Sequence, residues 1–397
     1  MVEIATLGTF AVAALASLFM AWAIGAGSSG STPFAPAVGA NAISVMRAGF
    51  LVGLLGFSGA VLQGANVSEA VGTELIAGDV TLSSLAATIA LLIAAGLVAI
   101  GIFTGYPIAT AFTVTGAVIG VGLAMGGSPA WAKYTEIATL WVLTPFVGGG
   151  IAYAVARALR ADGLSEEYLV IVLAALVGAI VANIEFAILG SGAGGASIAQ
   201  ASSGWLPGPA IAGTAAATLA IAIAWAGAIA FDLRSGTEQG ERHFLLVLGG
   251  LVAFSAGGSQ VGLAIGPLIP LSGELELPLL AMLVGGGFGL LLGSWTGAPR
   301  MIKAISQDYS SLGPRRSIAA LIPSFIIAQA AVFYGIPVSF NEIIVSAIIG
   351  SGYAAAGAGG GVSPRKMGFT VLAWIGSLAG AIIVSYTGYA AIAALLL

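Results

Sequence analysis

The chain has 397 residues, 59% of them hydrophobic and only 7% charged, with a formal net charge of -4. Too little polar side chain is present to cover a water-facing surface, so an ordinary soluble fold is excluded and lipid is the expected solvent. There is no cysteine and one histidine, His243, which removes disulfides, thiolate or histidine metal sites, a cysteine nucleophile and a histidine-based triad.

A helix that crosses a bilayer takes roughly 20 apolar residues, and runs bounded by charges and Gly/Pro/Ser clusters predict about 12 of them. In chain order they cover 4–26, 46–65, 81–103, 107–126, 137–158, 167–190, 208–231, 243–266, 278–296, 317–334, 337–356 and 367–390. The first run has only Glu3 before it and no basic stretch, which fits a span with an external N-terminus better than a signal peptide. Lys and Arg mark the cytoplasmic side. They fall at Arg47, Arg157/Arg160, Arg234/Arg242, Arg300/Lys303/Arg315/Arg316 and Arg365/Lys366. The opposite loops carry Glu69, Glu74, Asp79, the 191–207 stretch, Glu274 and Glu276, with Lys133 as the basic exception. Both termini are thereby placed outside.

An 18-residue pattern occurs twice. Gly105, Pro107, Ala117, Ile119, Gly120 and Gly122 recur about 230 residues later as Gly335, Pro337, Ala347, Ile349, Gly350 and Gly352. Upstream, Gly27, Ser28 and Pro36 recur about 231 residues later as Gly258, Ser259 and Pro267. An odd number of spans separates the copies, so the second is expected upside down relative to the first. The expected fold is all-α and polytopic, with about 12 helices in two inverted repeats with broken helices, the arrangement of many secondary transporters. The expected division is repeat 1 at 1–160, connecting scaffold helices at 161–240 and repeat 2 at 241–397.

Four segments carry the chemistry. Gly25–Pro36, with Ser28, Ser29, Ser31, Thr32 and two prolines, reads as a broken helix, and Ser255–Gln260 running on to Gly266–Pro267 reads as its partner. The paired Gly-x-Pro turns lead into Thr110 and into Ser339-Phe340-Asn341-Glu342. There each proline suits the first turn of a new half-helix. Half-helix N-termini offer free N–H donors and a positive dipole end, and hydroxyls and amides complete a neutral cradle for an oxyanion. The alternative is that these hydroxyls only satisfy freed backbone groups or ease helix packing. The candidate binding set is Ser28, Ser29, Ser31, Thr32, Thr110, Ser259, Gln260, Ser339 and Asn341. Glu342 is the candidate for a coupling cation or proton, set against an interfacial carboxylate. Glu185 is read as reaching the outer rim, and Glu69 and Glu74 as solvated loop acids.

These residues resemble the inorganic phosphate transporter (PiT) family of cation-coupled secondary transporters. Ile24-Gly25-Ala26-Gly27-Ser28-Ser29 and Phe254–Gln260 stand where that family has Ile-Gly-Ala-Asn-Asp-x-x-Asn. Gly105–Phe112 and Gly335–Glu342 stand where it has Gly-x-Pro-x-Ser-Thr-Thr-His, and Trp141–Pro145 is also similar. The resemblance implies inorganic phosphate as cargo, Na+ or H+ as coupling ion, no other cofactor, and a homodimer in the lipid of the cell membrane. The departures are specific. The Asn-Asp pairs read Ser28-Ser29 and Ser259-Gln260, and of the hydroxyl set only Thr110 and Ser339 remain. The paired cation-binding carboxylates of the family are absent from those positions. Alternatives are sulfate or another anion as cargo, or a passive anion channel. An enzyme is not expected: no His, Lys or Asp is placed in the span interiors to activate a serine. Gly357–Gly361 has the wrong spacing for a phosphate loop and reads as a cytoplasmic turn.

Overall fold

The computed structural model describes residues 4–163, 165–190, 195–205, 209–354 and 362–396; Gly357–Gly361 and parts of the 191–207 stretch lie outside the described residues. Helices come in the order α1 (Ile4–Gly27), α2 (Ala35–Gly39), α3 (Val45–Gln63), α4 (Ala65–Thr73), α5 (Ser84–Thr104), α6 (Thr110–Ala124) and α7 (Trp131–Ala158). Then follow α8 (Glu166–Ala182), α9 (Ile198–Ser203), α10 (Ala210–Arg234), α11 (Thr237–Ile265), α12 (Ile269–Ser272) and α13 (Leu279–Thr296). The last four are α14 (Ala298–Asp308), α15 (Pro314–Tyr334), α16 (Phe340–Tyr353) and α17 (Pro364–Leu396). Two small hairpins pair β1 (Ile76–Ala77) with β2 (Ser128–Pro129) and β3 (Glu185–Phe186) with β4 (Ala196–Ser197).

Among the described residues, nine helices are long and apolar enough to cross a bilayer, so this is a multi-pass membrane protein. Three of the expected spans are shorter: α6 has 15 residues, α8 has 17 and α16 has 14. The expected span at 167–190 stops at Ala182, because Asn183 caps the helix and Glu185–Phe186 turn back as a strand. Two segments read as loops are helices. α4 buries Val67, Ser68, Ala70 and Val71, and α14 buries Met301, Ile302 and Ile305, both at helical spacing.

The element series from α1 to α7 is matched in order by α11 to α17, and their contacts come in matched pairs. α3 packs on α11 as α1 packs on α13, and α7 packs on α16 as α6 packs on α17. The crossings are made by glycine. A Cβ at Gly257 of α11 would lie 1.8 Å from the Gly56 carbonyl oxygen of α3, and one at Gly25 of α1 would lie 2.1 Å from the Leu290 oxygen of α13. Small residues are how helices approach when lipid supplies no hydrophobic drive between them.

This packing explains one departure from expectation. Ser255–Gln260 is not a break, since α11 runs unbroken from Thr237 to Ile265 and turns only at Gly266–Leu268. Its glycines serve close contact with α3, not helix interruption. Gly257→Ala forces a Cβ into a backbone oxygen and is expected to cost about 1–3 kcal/mol, lowering the thermal midpoint in detergent by several degrees. Gly96→Ala, with nothing within 4 Å, should leave the midpoint level or raise it; equal midpoints for the two variants would refute the crossing argument.

Each Gly-x-Pro turn is built the same way. α5 ends at Gly105 with φ +77 and α15 at Gly335 with φ +63, the left-handed cap that glycine adopts without strain. Contrary to expectation, the prolines are not at the first turn of the next helix. They sit in the non-helical stretches 106–109 and 336–339, and the helices start at Thr110 and Phe340. The proline carbonyls are used instead. Trp374 Nε1 of α17 donates to the Pro107 oxygen at 2.8 Å, and Trp141 Nε1 of α7 donates to the Pro337 oxygen at 2.9 Å. Each turn is thus pinned by a buried tryptophan from the other half of the chain.

The polar loops sort into two groups by contact. Arg315 pairs with Glu166, Lys366 with Asp308 at 2.6 Å, Arg242 Nε donates to the Ala42 oxygen and Arg300 Nη2 to the Phe103 oxygen. In the other group Lys133 pairs with Glu74 at 2.9 Å and Tyr134 donates to the Leu75 oxygen. Glu69, which stands on α4 and not in a loop, and Glu74, at the end of α4, are exposed as expected, and Arg47 is exposed as well.

Candidate functional site

Every candidate residue is buried. Ser28, Ser31, Thr32, Thr110, Ser259, Gln260, Ser339 and Asn341 are 0% exposed, Ser29 is 3% and Glu342 is 2%. Burial of so many polar groups is costly unless each finds a partner, so the partners are informative.

Gln260, on the unbroken α11, is the node. Its Oε1 accepts from Thr110 Oγ1 at 2.7 Å and from Ser28 Oγ at 3.3 Å, while Nε2 donates to the Val338 carbonyl at 2.6 Å. One side chain therefore joins the α1 break, the start of α6 and the second Gly-x-Pro turn. Asn341, in the first turn of α16, does the reciprocal job. Its Nδ2 donates to the Gly27 carbonyl at 2.9 Å and to the Ile108 carbonyl at 2.6 Å. The two halves of the chain are laced through each other by amides at these two positions.

The other hydroxyls divide. Ser31 and Thr32 both donate to the Ser28 carbonyl at 3.1 Å. They close the α1 break on itself, the backbone-satisfying role considered as the alternative. Ser259 Oγ, Ser339 Oγ, Asn341 Oδ1 and Glu342 Oε2 have no hydrogen-bond partner among the described residues. Two are hydroxyls that can donate or accept, and two are pure acceptors when Glu342 is ionised. Neither α6 nor α16 has a side chain capping its N-terminus, so the first-turn N–H groups keep their donor capacity and dipole field.

Glu185 is half-buried in β3, consistent with a rim position, and its backbone oxygen accepts from Gln63 Nε2 at 3.1 Å. Gln63 and Gln329 were not among the sequence candidates. They lie on α3 and α15, are 7% and 9% exposed, and face each other. The available signal was a glutamine in each of two otherwise apolar span ends.

Three comparisons bear on this geometry. A profile of the Phosphate transporter family matches residues 24–385. The chain is 26% identical to the inorganic phosphate transporter 2-1, chloroplastic, of Arabidopsis thaliana, over 86% of this chain and 65% of that protein. It therefore spans just under two thirds of that relative's length. It is also 26% identical to a putative phosphate permease of Thermococcus kodakarensis, over 84% of this chain and 86% of that protein. A solved structure described as the sodium-dependent phosphate transporter superposes with a TM-score of 0.79 at 21% identity, over 98% of this chain and 100% of that chain. At that identity the superposition establishes the shared fold.

Proposed function

The chain belongs to the phosphate transporter family, and from that premise we propose that it carries inorganic phosphate across the membrane by alternating access. The observation that supports this best is the Gln260 node. It draws the α1 break and both Gly-x-Pro turns to one buried point, with two uncapped half-helix N-termini and, on α11 and the start of α16, four polar atoms unpaired among the described residues. Free N–H groups at helix starts hold an oxyanion without a lysine or arginine. A permanently open pore would wet these residues; their near-complete burial suits a carrier whose site is exposed to one side at a time.

Phosphate is favoured over sulfate by chemistry. At neutral pH phosphate still bears a hydroxyl that can donate, and sulfate bears none. Asn341 Oδ1 is an acceptor with no partner among the described residues, which suits a ligand that donates and repels one that only accepts. Ser28, Ser29, Ser259 and Ser339 supply hydroxyls, with Ser31 and Thr32 shaping the break that presents them. Glu342 takes the coupling Na+ or H+.

The architecture in this reading is two inverted repeats, 1–160 and 241–397, on a scaffold of 161–240. The group of contacts rich in Arg and Lys faces the cytoplasm and the Glu74–Lys133 group faces outside.

Uptake of radiolabelled phosphate into proteoliposomes, against a sulfate control, tests the reading directly. The Ser28→Ala/Ser259→Ala double variant is expected to lower phosphate uptake about tenfold or more, from two lost hydroxyls worth on the order of 1 kcal/mol each. Absence of uptake of either anion under imposed Na+ and pH gradients would end the proposal.

A further inference from the structure

A cleft of about 520 Å³ lies between the end of α3, the start of α4, and helices α8, α10 and α15. Gln63, Asn66, Asn183, Glu185, Thr218 and Gln329 supply its polar lining. A water takes roughly 30 Å³ of liquid, so the cleft holds a hydrated anion with solvent to spare. In the orientation proposed above, every one of these residues lies toward the outer face.

The floor of the cleft is an amide pair. Gln329 Nε2 donates to Gln63 Oε1 at 3.3 Å, and Gln63 Nε2 to Gln329 Oε1 at 3.5 Å. Both distances are at the long end for a hydrogen bond. The anchors behind the pair are tighter: Gln329 Nε2 donates to Ser255 Oγ at 2.6 Å, and Gln63 Nε2 to the Glu185 carbonyl at 3.1 Å. A weak bridge between two well-held arms is how a barrier that must part and re-form would be built. What it covers is specific. Gln63 lies directly over α11, where a Cβ at Gly258 would come within 2.8 Å of Gln63 Cβ. Ser255, the residue that anchors Gln329, is one helical turn before Ser259, on the same face.

We propose that this cleft is the external vestibule of the oxyanion path and that the Gln63–Gln329 bridge is its gate, separating the vestibule from Ser259. The proposal rests on the transport reading above. A neutral amide pair suits the task, because a fixed positive charge there would retain the anion and a fixed negative charge would turn it away. The same two amides can trade their mutual bonds for bonds to a passing phosphate, so opening leaves no buried polar group unpaired.

The chain has no cysteine, so any introduced thiol is unique. Thr218→Cys at the cleft wall is expected to react readily with a charged, membrane-impermeant thiol reagent added outside. Ser259→Cys is expected to react slowly, and adding Gln329→Ala or, separately, Gln63→Ala should raise its rate about tenfold, the effect of removing a barrier made of hydrogen bonds. Gel filtration and an unchanged Thr218→Cys rate certify the fold of each gate variant, and two independent variants guard against one misfolding. Labelling of Thr218→Cys only by lipid-soluble reagents would mean a lipid-filled groove and overturn the proposal. So would a Ser259→Cys rate that neither gate variant moves. Because labelling needs no transport, failure of phosphate to protect Ser259→Cys would count against phosphate as cargo while leaving the gate intact.

Discussion

Replacing Gln260 by leucine is expected to abolish phosphate uptake while the protein still inserts and purifies as a folded species. The change removes the acceptor of Thr110 Oγ1 and Ser28 Oγ and the donor to the Val338 carbonyl, all fully buried or nearly so. Each partner left unsatisfied costs about 1–3 kcal/mol, and the loss is concentrated where the two Gly-x-Pro turns meet the α1 break. Folding is spared in the main, because the glycine crossings of α3 on α11 and the tryptophan pins on Pro107 and Pro337 are untouched. Uptake should fall by roughly two orders of magnitude, about 3 kcal/mol at 1.4 kcal/mol per tenfold, with the thermal midpoint lower by only a few degrees. A Gln260→Leu protein that transports within threefold of the parent would show the node to be packing and not site. Loss of expression alone decides nothing, so the same measurement on Thr110→Val, which deletes only one bond to the node, is the companion experiment. Its expected loss is about tenfold, for one bond of on the order of 1 kcal/mol.

Much of this was legible in the chain because lipid leaves few options. Apolar runs of span length at 46–65, 81–103 and 278–296 became α3, α5 and α13 within a few residues, since only a helix satisfies its own backbone in hydrocarbon. The Gly105 and Gly335 turns were readable for the same reason that glycine ends helices: both adopt positive φ. The errors share one cause. Glycine-rich sequence at Ser255–Gln260 has two physical uses, breaking a helix or letting another helix touch it, and composition cannot tell them apart; the choice depends on Gly56 and Gly59 of α3 being brought against Gly257 and Phe254 from a distant part of the chain. Likewise α14 was hidden among arginines and lysines, although Ala298, Met301, Ile302 and Ile305 already showed the apolar stripe. The ten nominated site residues are all buried, but sequence could not say that Ser31 and Thr32 spend their hydroxyls on the Ser28 carbonyl. Nor could it pair Gln63 with Gln329 across 266 positions.

Glu342→Gln is the substitution expected to separate coupling from recognition. The two Gly-x-Pro copies agree in backbone but part company at this position. Where the second repeat has Glu342, the first has Phe112, stacked on Trp141 with centroids 3.9 Å apart. The arrangement therefore carries one buried carboxylate and not two, in the first turn of α16, with Oε2 lacking any partner among the described residues. A lone carboxylate in a membrane interior is retained only when a proton or a cation neutralises it at some stage of the cycle. The helix start on which it sits helps to hold the negative charge when the site opens. Glutamine keeps the shape and removes the charge. In proteoliposomes the variant should lose accumulation driven by an imposed Na+ or pH gradient, while exchange of internal for external phosphate, which needs recognition but no net ion flow, continues within a few-fold of the parent. The gradient that drives the parent identifies the ion. If Glu342→Gln still concentrates phosphate against its gradient, the coupling site lies elsewhere; if exchange is lost as well, the carboxylate belongs to phosphate recognition and its acceptor oxygen takes the phosphate hydroxyl.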